Sequence, residues 1–223
     1  MMHPAPTGFE GTANVVAVLV LLAVFAMLRA QLVHAQVRIY AVQSALVAVL
    51  SAVVAGVAHV PQLFVLAGLS VALKVVLIPI LIPRFVREAD VDLAHSARLK
   101  TPAAALIAVA VAAFGLFAVG SLGVGRDGIL PAPALAVSVA VVLASLVVII
   151  VRSDVVSQAV GAFSIENGVS VAGLVVAWGL PLILAIVFLF DLLVAVVVFG
   201  ALMRTHHIRS ETLSTEVLDR LKG

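Results

Sequence analysis

Seven stretches of this chain stay apolar without a polar alternation to interrupt them, at about 12–28, 33–58, 61–83, 102–123, 131–151, 157–178 and 181–203. A helix that crosses a bilayer needs ~20 such residues. Lipid admits only helices or closed barrels, because every backbone polar group must be satisfied internally. Barrel strands would alternate apolar and polar positions, which these runs do not do. The pattern therefore predicts an all-α, polytopic membrane protein with seven transmembrane helices. A charged fraction of 11% and a mean hydropathy of +1.31 leave no room for a sizeable soluble domain.

Orientation follows from lysine and arginine. Arg29, Arg38, Arg84, Arg87, Arg98, Lys100, Arg152, Arg204, Arg209, Arg220 and Lys222 all fall on one side, and Arg126 alone on the other. The expectation is an N-terminus outside and a cytoplasmic C-terminus, in a cell inner membrane. The leading segment MMHPAPTGFEGTAN has no basic residue before the first apolar run. That run is accordingly expected to be a mature helix and not a cleaved signal peptide.

Three ionisable residues lie deep in apolar sequence: Lys74, Glu166 and Asp191. A charge at that depth costs ~2.5–3.5 kcal/mol on insertion scales, which makes each a functional candidate. At ~1.5 Å rise per residue, Glu166 lies ~20 Å from Arg152, Asp191 ~20 Å from Arg204 and Lys74 ~15 Å from Arg84. All three can sit near the bilayer midplane. Spans six and seven are joined by the short turn Gly179–Leu180–Pro181, so they are expected to be antiparallel neighbours whose acids can meet or share a water. Two desolvated carboxyls, with Lys74 as a partner to one, suit reversible protonation. The competing reading is a static buried ion pair that holds the bundle together. Gln43 and Asn167 are expected to make interhelical hydrogen bonds, and Ser70, Ser164 and Ser170 to bond carbonyls of their own helices.

Prolines 61, 102, 131 and 181 mark span starts, where the first turn tolerates them. Pro79 and Pro83 fall late in span three, and Pro79 is expected to kink that helix or free a carbonyl. The absence of cysteine excludes disulfides and thiolate metal sites. His34, His59, His95, His206 and His207 fall at span ends or in loops, without the spacing of a metal or haem site. With no phosphate loop, nucleophile triad or nucleic-acid signature, no enzymatic activity is expected of the chain alone. The tail carries Leu213, Val217 and Leu221 at helical spacing, a stripe for a lipid surface or a neighbouring subunit.

The chain also repeats. RAQLVHAQVRIYAVQSALVAV (Arg29–Val49) aligns without a gap on RSDVVSQAVGAFSIENGVSVA (Arg152–Ala172) at an offset of 123. Arg29 meets Arg152, Val33 meets Val156, Val37 meets Val160, Tyr40 meets Phe163 and Gln43 meets Glu166. Each segment is followed by a span with one central ionisable residue, Lys74 or Asp191. The expected architecture is two parallel three-helix repeats (1–101 and 131–223) joined by one helix (102–130).

These residues carry a resemblance. From Arg152 through ENG (Glu166–Gly168) to the Asp191 span, the chain resembles the small K-type (4L) membrane subunit of complex I. That subunit has three spans, with acids in the second and third. Glu166 falls at the first of those positions, and Asp191, a shorter acid, at the second. From about residue 12 to 223 the chain resembles hydrogenase-4 component E, of nickel–iron hydrogenase and formate hydrogenlyase-like complexes. RxYAxQSxL (Arg38–Leu46), LKVVLIPILI (Leu73–Ile82), ENG and the closing LKG carry that likeness. The resemblance implies a non-catalytic connector subunit of an oxidoreductase complex, with Glu166, Asp191 and Lys74, helped by Gln43 and Asn167, on a buried polar axis for proton translocation. It implies antiporter-like membrane subunits, a membrane anchor subunit and a hydrogenase module as partners. Nickel–iron and iron–sulfur centres would reside in those partners and no cofactor in this chain. Gln43 and Lys74 depart from the K-type pattern, since acids stand at both positions there. A subunit of a multisubunit cation/proton antiporter and a structural membrane scaffold are the competing functions.

Overall fold

The computed structural model describes residues 8–88, 101–122, 132–152 and 154–176, together with the isolated positions 189, 193, 196 and 200. Its elements are α1 (Gly8–Arg29), α2 (Val33–Ala58), α3 (Pro61–Ser70), a π-helical segment (Val71–Leu77), α4 (Ile78–Glu88), α5 (Thr101–Leu122), α6 (Ala132–Val151) and α7 (Val155–Val176). No strand occurs among the described residues. Six segments are long and apolar enough to cross a membrane: Gly11–Arg29, Val33–Ala58, Pro61–Arg84, Pro102–Gly120, Pro133–Val151 and Val156–Val176. The chain is thus an all-helical, multi-pass membrane protein. The seventh expected span, with Asp191 and the Gly179–Pro181 turn, lies outside the described residues, apart from helical conformation at Leu189, Leu193, Val196 and Gly200.

Two hairpins, α1–α2 and α6–α7, pack on each other to form the centre, with α1 against α6 and α2 against α7. α5 flanks α6, and the α3–π–α4 span flanks α2. Phe117 on α5 is 76% exposed and Leu106 75%, so this helix presents large apolar side chains outward, as a lipid-facing helix does. One apolar cluster fills the space between α1, α6 and their neighbours, around Val20, Val24, Val54, Ala144 and Val148. A second lies between α2, α4 and α7, around Val37, Tyr40, Ile82, Val160 and Phe163, and Val196 packs into it.

Without a hydrophobic drive between helices in lipid, close packing depends on small residues at the contact. Gly161 and Gly168, two turns apart, provide it on α7. A Cβ on Gly168 would stand 2.8 Å from Val142 Cγ2 and 3.2 Å from the Ser138 carbonyl oxygen; one on Gly161 would stand 2.8 Å from Ile149 Cγ1. The turn that ends α2 instead uses His59 in the left-handed conformation, at φ 54° and ψ 39°. The N–H groups of both His59 and Val60 close on the Ala55 carbonyl, which satisfies the helix end.

The third span is one long helix with a widened turn in its middle. Ile78 donates its N–H to the Leu73 carbonyl, an i→i−5 bond. Pro79 follows at once and has no N–H for the Val75 carbonyl, so the α-pattern cannot continue unbroken there. The kink or freed carbonyl expected at Pro79 therefore takes the form of a π segment just upstream. Its effect on phase is visible in burial: Leu63, Ala67, Ser70, Lys74, Ile78 and Ile82 all face inward. Those five steps take 19 residues, where five α-turns would take ~18. The extra residue keeps Lys74 and Ile82 on one buried face.

Candidate functional site

Lys74 projects from the middle of the π segment and is only 2% exposed. Its Nζ forms an ion pair with Glu166 Oε1, on α7, and lies 3.4 Å from Asn167 Oδ1. Glu166 is ~16 Å from the start of its helix and ~15 Å from its end, so the pair sits at mid-depth. The first hydrogen bonds continue inward. Asn167 Nδ2 donates to Gln43 Oε1 at 3.1 Å and to Ser44 Oγ at 2.9 Å. Gln43 Nε2 donates to Ser164 Oγ at 3.0 Å and to the Val20 carbonyl at 3.1 Å. Ser145 and Ser164 share a hydroxyl–hydroxyl bond of 2.8 Å. The network thus ties α1, α2, the π segment, α6 and α7 together.

The direction of the amides is determined by chemistry. A backbone carbonyl only accepts, so the Gln43 face toward Val20 must be its NH2. Its oxygen then faces Asn167, which must present its own NH2 to Gln43 and its oxygen to Lys74. The chain of amides therefore ends with an acceptor aimed at the ammonium group. Lys74 and Glu166 are the titratable pair in direct contact; the rest of the network is neutral. Removing either charge alone would leave the other buried without its partner, the costly case for an intramembrane ion pair.

Of the residues singled out in the sequence, Lys74, Glu166, Gln43 and Asn167 meet in this one network. Asp191 lies outside the described residues. Ser164 bonds across the bundle to Gln43 and Ser145, and not to its own helix as expected. Ser44 and Ser145 escaped the sequence reading, because a serine in an apolar span more often bonds its own helix, as Ser51 does to Val47 and Ser138 to Leu135.

A second polar cluster lies at the end of the bundle where the two hairpins turn. Arg152 follows α6 directly and is 4% exposed. Its Nη2 donates to the Leu28 carbonyl at 2.9 Å and to the Ala30 carbonyl at 2.6 Å, capping the unsatisfied C-terminal carbonyls of α1. Gln36 Nε2 donates to the same Ala30 carbonyl at 2.9 Å. Asp154 Oδ1 accepts the Ser157 N–H at 2.7 Å, an N-cap for α7, and Gln158 Nε2 donates to the Arg152 carbonyl at 2.8 Å. Burial pushes the Arg152 pKa below its ordinary value and the nearby Asp154 charge pulls it up; an arginine remains charged throughout the physiological range. Between the two clusters, the Tyr40 and Phe163 rings pack at a centroid distance of 5.6 Å, tilted by 43°.

Fold and site together define a class: a multi-pass helical membrane protein with a charged pair embedded in a directed hydrogen-bond network. No protein-family model matches the chain, and no curated protein or solved structure matches it. Among the described residues, no group of three or more histidines, aspartates or glutamates is arranged to hold a metal ion.

Proposed function

We propose that this chain is a non-catalytic membrane subunit of a hydrogenase-type, complex I-related respiratory complex, in which Lys74 and Glu166, with Asp191 beyond them, form a polar axis for proton translocation. The observation that carries this reading is the contact of Lys74 with Glu166 at mid-depth, in a π-helical turn, joined to an amide chain that points an acceptor at the ammonium. A buried ion pair is most stable when hydrogen bonds also satisfy its remaining lone pairs. Here the second carboxylate oxygen, Glu166 Oε2, is buried with no hydrogen bond among the described residues, and remains open to a further proton partner.

The same reading includes a duplication of the α1–α2 and α6–α7 hairpins as parallel repeats, with a seventh span completing the second unit. Several residues matched at the 123 offset support it. Tyr40 stacks on Phe163, and Val33, Val37, Val156 and Val160 share one buried cluster. In the reading, the arginine-rich face is cytoplasmic and the flanking α5 and α3–π–α4 surfaces meet lipid, antiporter-like subunits and a membrane anchor subunit.

Affinity purification of a tagged chain from its native membranes tests the assignment. Recovery of a nickel–iron hydrogenase module with antiporter-like subunits is expected. Recovery of a multisubunit cation/proton antiporter with no hydrogenase module would replace this reading with the antiporter one.

A further inference from the structure

We infer that the outer surface of α1, α2 and α4 binds the phosphate of an anionic phospholipid, held by Arg38 with Arg29 and Arg84 beside it. Arg38 stands unusually deep for a cation that faces outward. Gln43 and Ser44 on α2 bond the Asn167 amide next to the Lys74–Glu166 pair, so they mark mid-depth on that helix. Arg38 lies only ~8 Å from them, toward the turn at 30–32. Half the hydrocarbon thickness of a bilayer is ~15 Å. The backbone of Arg38 is therefore ~7 Å inside the hydrocarbon.

At that depth Arg38 does not meet another helix. It is exposed, and Val42 and Val49 continue its face of α2 as exposed apolar side chains. Its counterpart at the 123 offset is Gly161, where α7 closes on Ile149 of α6. The second hairpin buries this face against a helix, and the first turns it outward with a cation on it. A charge so placed is costly unless its long side chain carries it to the polar interface and an anion meets it there.

Two further arginines reach the same level. The Val20 carbonyl on α1 accepts from Gln43, which marks mid-depth there, and Arg29 lies ~14 Å beyond it. Arg84 lies ~15 Å from Lys74 along its span. Both backbones thus stand at the hydrocarbon edge, the level to which Arg38 extends its guanidinium. α1 and α4 both pack on α2. Val37 and Ile82 share one buried cluster, which brings together the stretches that carry Arg38 and Arg84. All three arginines are exposed, and among the described side chains none is paired with a carboxylate. The acid described at this end, Asp154, caps α7 beside Arg152.

One guanidinium fork satisfies a carboxylate, whereas a phosphate accepts from several. Three cations on three neighbouring helices at headgroup level therefore fit a phosphate. The exposed rows that run from them into the bilayer, Val42 and Val49 on α2 and Val76 and Ile80 on span three, fit acyl chains. Basic clusters between helices at a membrane face are a recurring form of acidic-lipid site. The site does not depend on the relay reading above.

Native mass spectrometry of the full chain, released from micelles with equal phosphatidylglycerol and phosphatidylcholine, tests it. Phosphatidylglycerol is expected to be retained several-fold over phosphatidylcholine, and excess inorganic phosphate not to displace it. Arg38→Gln should lower that preference several-fold, as should the double variant Arg29→Gln/Arg84→Gln. Arg126→Gln, which the charge pattern places at the other face, should leave it unchanged. Equal retention of the two lipids, displacement by inorganic phosphate, a preference unchanged by Arg38→Gln or by the double variant, or an equal loss in Arg126→Gln overturns the site. Should Arg38→Gln fail to fold, the lipid comparison on the unaltered chain and the double variant carry the test. In native membranes, a benzophenone side chain in place of Val42 is expected to cross-link to lipid. Cross-linking to a protein there assigns the surface to a neighbouring subunit and overturns the lipid site.

Discussion

In the α1–α2 hairpin, the turn at 30–32 leads into Gln36, Tyr40 and Gln43; in the α6–α7 hairpin, Ala159, Phe163 and Glu166 follow on α7. The positions correspond one to one at the 123 offset, yet the two hairpins do different work. The first supplies neutral hydrogen-bonding groups: an amide at Gln43 and hydroxyls at Tyr40 and Ser44. The second supplies the charge at Glu166 and the arginine that caps its neighbour. Arg29 is exposed, whereas its counterpart Arg152 is buried against the end of α1. The second hairpin is also the more tightly packed, because Gly161 and Gly168 bring α7 onto α6, where the corresponding α2 positions are Arg38 and Ala45. A buried charge demands a fixed geometry for its partners. The hairpin that carries it is the one clamped by glycine, and the one that carries amides has more latitude.

That contrast can be broken most forcefully at the charge. Lys74→Met leaves Glu166 buried without its cation and should destabilise the protein by about 3–5 kcal/mol, read by SDS or thermal unfolding in bicelles. Adding Glu166→Leu should recover most of the loss, because an apolar pair has no charge left unpaired. A double variant as unstable as the single one would show that the pair is not what the lysine contributes.

The clamp comes next. Gly168→Val forces a side chain into Val142 and the Ser138 carbonyl and should cost about 1–3 kcal/mol. Ala45→Val, at the corresponding position of α2, should cost much less. Equal effects would remove the difference in packing between the hairpins.

Substitutions on the neutral side should be milder. Gln43→Leu removes bonds to Ser164, Val20 and Asn167, but Asn167 keeps Ser44. A loss of about 1–2 kcal/mol is expected, since an interhelical hydrogen bond in a membrane averages ~0.6 kcal/mol. Smallest of all, Asp154→Ala removes the α7 N-cap and should cost ~1 kcal/mol, with faster amide hydrogen exchange confined to the first turn of α7.

Much of this site was legible in the sequence. Lys74 and Glu166 stood out because a charge deep in an apolar run is expensive without a partner, and both fall near the middle of their spans. Gln43 and Asn167 were legible as interhelical bonders for the same reason in weaker form. The rest depended on contacts between distant segments. Pro79 announced a disturbance in span three, but not that a π turn would bring Lys74 into phase with Ile82. An arginine at a span end reads as a topological signal; that Arg152 turns inward to cap α1 follows only from the α1–α6 packing. The serines at 44, 145 and 164 resemble others that bond their own helices. The left-handed His59 ends α2 where glycine would be the ordinary choice, and nothing local announces it.

The most direct test is Glu166→Gln in the assembled complex, with proton translocation measured across sealed native membranes and assembly checked by co-purification. The substitution keeps the size of the side chain and one acceptor oxygen for Lys74, replaces the other oxygen with an NH2 donor, and removes the charge and the titration. The account predicts proton coupling lost in the complex that assembles, with a lower yield of that complex because Lys74 loses its counter-charge. Coupling at the unaltered rate in a normally assembled complex would contradict it and leave Lys74–Glu166 as a structural pair.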